Sequence, residues 1–428
     1  MSDVAVAVPC LNDARNLETL LPTIGRILEH FKIPARVYVI DGGSVDDTVR
    51  IAEQLGAAVI PQRGAGYGGA IATALTCLPA DYVITLDGDN SHPPALLYSL
   101  YRMREEADIV IASRYVPQGY ALMPGGRRIL SRLLNDTFRR LLDLPVHDLS
   151  SGYRLYNRRS MQALSIKTSS YAALQELVIK AYCEGYRIKE IPMHYRSGAH
   201  SRDNARRWRL GRDYVATLRA MWRLRNSTNS CDYDTRAFFS RIPLQRYWQR
   251  QRYAIITRCI GDQLRVLDAG CGSAQTLNGA PQTVGVDPQM RKLRFMRAPG
   301  RRLVNGSTFA LPFRSDAFDV VISSQVIEHL PEDDGIFDEL VRCLAPGGTL
   351  VLGTVDYGGW QWPLIERMYR LAKPTGYADE HITHYTRRML FERLDRMGLV
   401  IEDHWYILGG ELVIKARKPR GVDSVHDR

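Results

Sequence analysis

Short apolar blocks alternate with longer polar stretches along the first half of the chain. VAVAV (4–8), RVYVI (36–40), residues 57–60, YVITL (82–86) and DIVIA (108–112) read as buried strands. Between them, helical spacing runs over about 16–30, 46–55 and 68–77. Strand–helix alternation predicts a mainly parallel sheet with helices on both faces. Such sheets hold ligands beyond the carboxyl ends of their strands, where Pro9 to Asp13, Asp41 to Ser44, and Asp87 to Asp89 fall.

The alternation breaks at RNSTNSCDYD (225–234), a polar stretch without periodicity that reads as a linker. It then restarts with LRVLD (264–268), TVGVD (283–287), FDVVI (318–322), TLVLG (349–353), HWYIL (404–408) and ELVIKA (411–416). The last two flank Gly409–Gly410 and predict an antiparallel pair closing a second sheet. The expected organisation is an α/β domain over 1–225, a linker and lead-in helix over 226–254, a second α/β domain over 255–419, and a tail over 420–428. A length of 428 residues suits two or more cores.

Composition adds constraints. At 45% hydrophobic and 24% charged residues, the chain is ordinary globular material. No run approaches the ~18–20 apolar residues of a spanning helix. The start, MSDVAVAVPCLN, has neither the basic opening nor the cleavage site of a signal peptide. Seven scattered cysteines form no CxxC pair, so neither a zinc site nor a disulfide framework is expected, and a reducing cytosol is the natural compartment. The net charge of +11 is concentrated: residues 200–225 carry eight Arg against two Asp, and residues 127–140 five Arg against one Asp. Basic amphipathic helices suit a membrane surface or an anionic ligand. A solvated Arg face is the plainer reading, since only eight of the 57 basic residues are Lys. No nucleic-acid-binding module accompanies the charge, so no nucleic-acid partner is expected.

The strand-end sequence ITLDGDNSHPP (84–94) places two carboxylates around one glycine. Residues i and i+2 of a strand point the same way, so Asp87 and Asp89 can face one spot. Hard oxygen ligands beside phosphate suit Mg²⁺ or Mn²⁺, and Gly88 would leave room for a ligand. An Asp-rich turn explains the same residues without a ligand. The neighbours matter more: VAVAVPCLNDARNLETLL, VIDGGSVDDT, RGAGYGGA, LDGDNSHPP, ASRY and DLSSGYRLY occur in that order. Together they resemble glycosyltransferase family 2, with its Rossmann-like GT-A fold, and most of all its dolichol-phosphate mannose synthase-like branch.

The resemblance implies metal-dependent, inverting transfer from a GDP- or UDP-linked sugar. Pro9 and Asp41 would line the nucleotide pocket. Asp87 would lie near the diphosphate, and Asp89 would be the principal metal ligand. Arg114, Arg127, Ser201 and Arg202 would contact phosphate oxygens, while Asp148, Ser151 and Gly152 would shape the acceptor side. For Arg114 and Arg127 a salt bridge is the alternative. Two departures stand out: Gly42 replaces a common Asp, and Ser91 replaces a common Gln that can help bind metal. A lipid-phosphate acceptor is already anionic and needs no general base, whereas a hydroxyl acceptor does. Glu176 is the candidate base, with a structural acid as its plainer reading.

VLDAGCGSA (266–274) sets a tight glycine turn straight after an apolar strand, where a cofactor can lie against backbone. VGVDPQM, LPFRSDAFDVVISSQVIEHL and LAPGGTLVLGT follow. Over about 255–419 these resemble a class I S-adenosylmethionine-dependent methyltransferase, itself Rossmann-like. Asp268, Gly270 and Gly272 would form the methionine-side loop, Asp287 would hold the ribose, and Gln325 to Glu328 would border the cofactor. Ser307 stands where an Asp usually meets the adenine, and Ala274 replaces the third glycine. His381 and His384, in DEHITHYTRRML, are candidate bases for methyl transfer to a hydroxyl, with helix capping or pocket shaping as their alternative. His329 is expected to be structural.

The expectation is a bifunctional enzyme that moves a sugar from a nucleotide sugar to a polyprenyl phosphate and methylates an oxygen of a related substrate. It would be cytoplasmic and peripheral on the inner face of the membrane, and its oligomeric state is left open. Two rivals remain. The acceptors could be hydroxyls of a small molecule or glycan, or one domain could have decayed to a binding or scaffold module.

Overall fold

The computed structural model describes residues 3–197, 205–372 and 381–420. The chain divides into two compact units, 1–225 and 226–428. Both are α/β.

Among the described residues of the first unit, nine strands form: β1 (Val4–Cys10), β2 (Ala35–Asp41), β3 (Ala58–Pro61), β4 (Tyr82–Thr85), β5 (Ile109–Ser113), β6 (Tyr120–Leu122), β7 (Arg154–Asn157), β8 (Ile188–Pro192) and β9 (His194–Arg196). Seven make one sheet in the order β3-β2-β1-β4-β7-β5-β8, and β6 pairs with β9 in a separate ribbon. β1 is buried along its whole length, which fits its unbroken apolar run. The helix Ala14–His30 buries Leu17, Leu20, Leu21, Ile24 and Leu28, one stripe at helical spacing. The sheet is parallel except at β7, which runs antiparallel to both β4 and β5. That inversion sets the site. Thr85 at the end of β4 pairs with Arg154 at the start of β7, so the DLSSGYR stretch enters the sheet beside Asp87.

The second unit has β10 (Val266–Ala269), β11 (Val284–Asp287), β12 (Arg302–Asn305), β13 (Phe318–Ser324), β14 (Leu344–Val355), β15 (Val400–Ile407) and β16 (Glu411–Arg417). Their order is β12-β11-β10-β13-β14-β16-β15. β16 runs antiparallel to β14 and β15. The chain reverses into it through Leu408 and Gly409, both at positive φ.

The expected lead-in helix is present, but the linker before it differs from what is expected. Ser230, Cys231 and Asp232 are buried, Tyr233–Phe238 is a helix, and a longer helix, Pro243–Ile260, follows. Asp234, the last residue of the polar stretch, bonds to the second unit's glycine loop, as described below. Among the described residues, no helix is long and apolar enough to cross a membrane.

Candidate functional sites

The first site lies where β1, β2 and β4 end. Cys10 pairs with Asp41, and the Gly42 amide donates to the Cys10 carbonyl at 2.9 Å. Pro9 is buried within β1. The Asp41 carboxylate accepts from the amides of Gly43 and Ser44 at 3.1 and 3.2 Å, which shapes the turn after β2.

Asp87 lies beyond β4, so strand periodicity does not govern its orientation. It is braced instead. The Tyr67 hydroxyl donates to Asp87 Oδ1 at 2.8 Å. The Asp87 amide donates to His92 Nδ1 at 3.1 Å, which leaves the ring proton on Nε2, 3.9 Å from Asp87 Oδ2. His92 is buried. Burial lowers its proton affinity, against the opposing pull of Asp87 and Asp89. Asp89 is exposed, and its carboxylate accepts from the Ser91 amide at 3.0 Å. Ser91 Oγ is buried without a hydrogen-bond partner. Two carboxylates and an unpaired hydroxyl are hard oxygen donors, and they fit Mg²⁺ or Mn²⁺. Among the described residues no third His, Cys, Asp or Glu closes a cage there. The donor's phosphates would have to complete the coordination.

Gly88 does not leave room for a ligand. A Cβ there would stand 2.9 Å from Cys10 Sγ, so protein already fills that space. Gly152 packs against the Tyr67 hydroxyl and Asp87 Oδ1. Ser151 is buried beside it and accepts from the Tyr153 amide.

Of the expected roles, those of Arg114 and Glu176 change, and Ser201 and Arg202 fall outside the description. Arg114 is tied down: Nε and Nη2 donate to Asp148 at 2.8 and 2.7 Å, and Nη2 also reaches Ser150 Oγ. Burial opposes its charge, but Asp148 outweighs that and holds the guanidinium firmly protonated. Arg114 therefore braces the DLSSGYR loop rather than offering a free fork to phosphate. Glu176 is buried, and its carboxylate accepts from the amides of Lys167 and Thr168 at 3.0 and 2.9 Å and from Lys180 Nζ at 2.6 Å. Burial raises its pKa, these bonds outweigh it, and the net direction is downward, away from a general base. Its loop supports the site indirectly, since the Ser169 carbonyl accepts from the Gly68 amide next to Tyr67. Ser201 and Arg202 lie outside the described residues. Arg127 is exposed and bonded to Ser197 Oγ at 3.0 Å.

In the second unit, Gly270 and Gly272 take positive φ, +84° and +52°, and Val326 packs against Gly270. Asp287 is buried; Oδ2 accepts from the Gly272 amide at 2.9 Å and Oδ1 from the Gln289 amide at 2.7 Å. Each oxygen keeps a lone pair for a ribose hydroxyl. Asp268 is buried, and burial, with Asp287 and Asp234 nearby, lifts its pKa to about 7. Gln325 holds a left-handed backbone, φ +59°, and its Nε2 is buried and unpaired, as is Gln289 Oε1. Strain and orphaned amide groups beside a glycine turn fit a bound polar cofactor. Ser307 is exposed and caps its own turn through the Phe309 amide.

Sequence reasoning missed Asp234. Its Oδ2 accepts from Ser273 N and Oγ, both at 3.0 Å, and from Lys292 Nζ at 3.2 Å. A Cβ on Gly272 would meet it at 2.7 Å. The short helix carrying it thus completes the glycine loop. On the far side, His381 and His384 bracket Tyr357: its hydroxyl is 2.9 Å from His381 Nδ1, and its ring stacks on His384 at 4.0 Å. Neither His caps the following helix; Thr386 does.

Residues 5–165 match the model of glycosyl transferase family 2, and residues 267–352 match that of a methyltransferase domain. A dolichyl-phosphate hexose transferase from Haloferax volcanii is 31% identical over 201 residues, which are 46% of this chain and 84% of that protein. A polyprenol monophosphomannose synthase from Mycolicibacterium smegmatis is 30% identical over 207 residues, 44% of this chain and 76% of that protein. Among solved structures, glucosyl-3-phosphoglycerate synthase from Mycobacterium tuberculosis, in complex with Mn²⁺, UDP and glucosyl-3-phosphoglycerate, aligns at 22% identity. It covers 51% of this chain and 80% of that one, with a TM-score of 0.43.

Proposed function

The chain belongs to glycosyl transferase family 2 and carries a methyltransferase domain; from that premise we propose that it passes a sugar from a GDP- or UDP-linked donor to a polyprenyl phosphate, and methylates an oxygen of a related substrate with S-adenosylmethionine. Both similar enzymes above are named for polyprenyl-type phosphate acceptors.

The observation that carries the acceptor is the helix Gly125–Leu142. It buries Asn135, Phe138 and Leu142, yet Ile129, Leu130 and Leu133 are 61–69% exposed among Arg127, Arg128 and Arg132. Tyr120 and Leu122, just before it, are also more than half exposed. Apolar side chains interleaved with Arg suit the headgroup boundary of an anionic bilayer. The same helix reaches the donor site. Asn135 accepts from the Leu149 amide at 2.7 Å and donates to Ser150 Oγ at 2.8 Å, within the loop that enters β7 beside Asp87.

Transfer needs negative charge stabilised on the departing diphosphate oxygen. Asp87, Asp89 and Ser91 would hold a divalent ion, which supplies that neutralisation when bound. Tyr67 and His92 fix Asp87, while Arg127, exposed and bonded to Ser197 Oγ, would meet phosphate. A lipid phosphate is ionised near neutral pH, so it attacks without a base and inverts the anomeric carbon. In the second unit, Asp268, Asp287 and the glycine turn would position the sulfonium cofactor, with Gln325 and Glu328 toward the acceptor.

The test is transfer of radiolabel from a panel of nucleotide sugars into organic-extractable polyprenyl phosphate. Label from one donor, abolished in Asp89→Ala, supports the reading. Transfer only to soluble hydroxyl acceptors would overturn it.

A further inference from the structure

Beyond β13 the backbone makes one tight turn, Ile327–His329, and carries Glu328 and His329 toward the loop that holds His381. The amides of Ile382 and Thr383 donate to the Glu328 carbonyl at 2.8 and 3.1 Å, which pins that loop in place. One ligand atom from each of Glu328, His329 and His381 lies within 4.8 Å of the other two.

Two further observations point to a cation. Glu328 is fully buried. Its Oε2 accepts from Thr354 Oγ1 at 3.0 Å, but Oε1 is buried with no hydrogen-bond partner. An unpaired carboxylate oxygen in the interior is costly, and a metal ion would satisfy it. The second observation is a relay behind His381. Its Nδ1 is 2.9 Å from the Tyr357 hydroxyl, which is 3.4 Å from Glu366 Oε1. With Tyr357 donating to Glu366, the phenol oxygen accepts Nδ1–H, which makes Nε2 the unprotonated ring nitrogen. A metal-binding imidazole is ordinarily oriented in this way.

We propose that Glu328, His329 and His381 form a divalent metal site in the methyltransferase domain, and that its open positions take two adjacent oxygens of the methyl acceptor. Two imidazoles and one carboxylate select an ion such as Zn²⁺ or Co²⁺ over Mg²⁺. This separates the site from the all-oxygen set at Asp87 and Asp89. Bonds of about 2.0–2.2 Å require the ligand atoms to draw in by about 1 Å, within reach of ring and carboxyl rotation.

The location gives the ion a use. Val326, two residues before Glu328, packs on Gly270 of the cofactor loop, so the three ligands border the methyl donor. A vicinal diol chelated there would have a more acidic hydroxyl. Its proton leaves to water, and the oxygen pair forms the new O–C bond as the S–C bond breaks with its pair remaining on sulfur. This role, unlike the metal site itself, rests on the O-methylation reading.

The experiment is a titration of the full chain with Co²⁺ in excess Mg²⁺, which saturates oxygen-only sites, read by visible d–d absorption. Wild type and Asp89→Ala should each take one equivalent with imidazole-type bands. His381→Ala and Glu328→Gln should bind at least ~10-fold more weakly, with S-adenosylmethionine binding by calorimetry confirming that the variants are folded. Wild-type Co²⁺ that shows only hexaaqua-like bands overturns the site, whatever the variants do. So does equal affinity in His381→Ala and wild type. If Co²⁺ binds as expected but no diol is methylated, the metal site stands and the O-methylation reading fails.

Discussion

The Tyr67 hydroxyl donates to Asp87 Oδ1 at 2.8 Å, joining the glycine-rich loop to the carboxylate beyond β4. Tyr67 also stacks on Tyr171, with ring centroids 4.4 Å apart, so Tyr67→Phe removes the bond and keeps the packing. An orienting partner one step behind a metal ligand is commonly worth about 10–100-fold in metal affinity or activity. Sugar transfer in Tyr67→Phe should fall in that range, and added Mn²⁺ should restore part of it. Unchanged activity at limiting Mn²⁺ would show that Asp87 does not need the donor.

Glu176 separates a structural acid from a catalytic base. Its carboxylate holds two amides and Lys180, so Glu176→Ala should destabilise the first unit by about 2–4 kcal/mol. The sign with pH follows from its lowered pKa. Its contribution is complete above the ordinary Glu value of about 4.3 and is lost as pH falls through the lower folded value. Denaturant melts should therefore show the variant's deficit shrinking below about pH 4. A variant with a normal melt but a lost acidic limb in its pH–rate profile would restore the base role.

The strand–helix periods and both ligand-side turns are legible in the sequence because apolar runs and glycine punctuation are local signals. Arg114 is not. Its ASRY context suggests a phosphate contact, and only the pairing of β7 against β4 and β5 brings Asp148, 34 residues away, onto its guanidinium. His92 sits in SHPP and reads as part of a turn, although its role depends on one ring nitrogen meeting the Asp87 amide. Asp234 fails for the opposite reason. A polar run without periodicity looks like linker whether its side chains meet water or a glycine loop. Likewise, the pattern of residues 125–142 reveals an amphipathic helix but not that Ile129, Leu130 and Leu133 stay largely exposed.

Asp234 ties the short helix before the methyltransferase core to the glycine loop. Burial opposes its charge, but Lys292 and the Ser273 donors outweigh burial and keep its pKa low, so it is ionised at neutral pH. Removing it in Asp234→Ala leaves the Ser273 amide and Lys292 without that acceptor. Calorimetry should show S-adenosylmethionine binding about 10-fold weaker or worse, about 1.4 kcal/mol, with sugar transfer unaffected. Equal affinity would mean that the glycine loop holds its shape unaided.

Asp268 should reveal itself through pH. Its folded pKa of about 7 is raised above the unfolded value of about 3.9, with burial the main cause. Whatever stability it contributes is complete below about pH 4 and is lost as pH climbs through about 7. Asp268→Asn should therefore melt close to wild type near pH 4, gain on it through neutrality, and hold a constant lead above about pH 8. Binding of S-adenosylmethionine to wild type should strengthen over the same interval if the ionised carboxylate receives the cofactor's ammonium group. A pH-independent melting difference would remove the buried-acid account.

The exposed face of Gly125–Leu142 makes the membrane reading testable apart from chemistry. Ile129→Ser, Leu130→Ser and Leu133→Ser together remove apolar surface without touching Asn135, which secures the loop before β7, or Phe138 and Leu142, which anchor the helix. Burying each side chain in the bilayer boundary is worth about 1.5–3 kcal/mol at most. The triple variant should therefore lose ~100-fold or more in partitioning onto vesicles containing anionic lipid, measured by sedimentation. Transfer to a short, water-soluble polyprenyl phosphate should persist, while transfer to a long one embedded in vesicles should collapse. Arg128→Ala and Arg132→Ala should weaken binding in a salt-dependent way, by about 1 kcal/mol per charge near the surface. The serine changes should be insensitive to salt. Vesicle binding that survives all five substitutions would place the lipid contact on another face.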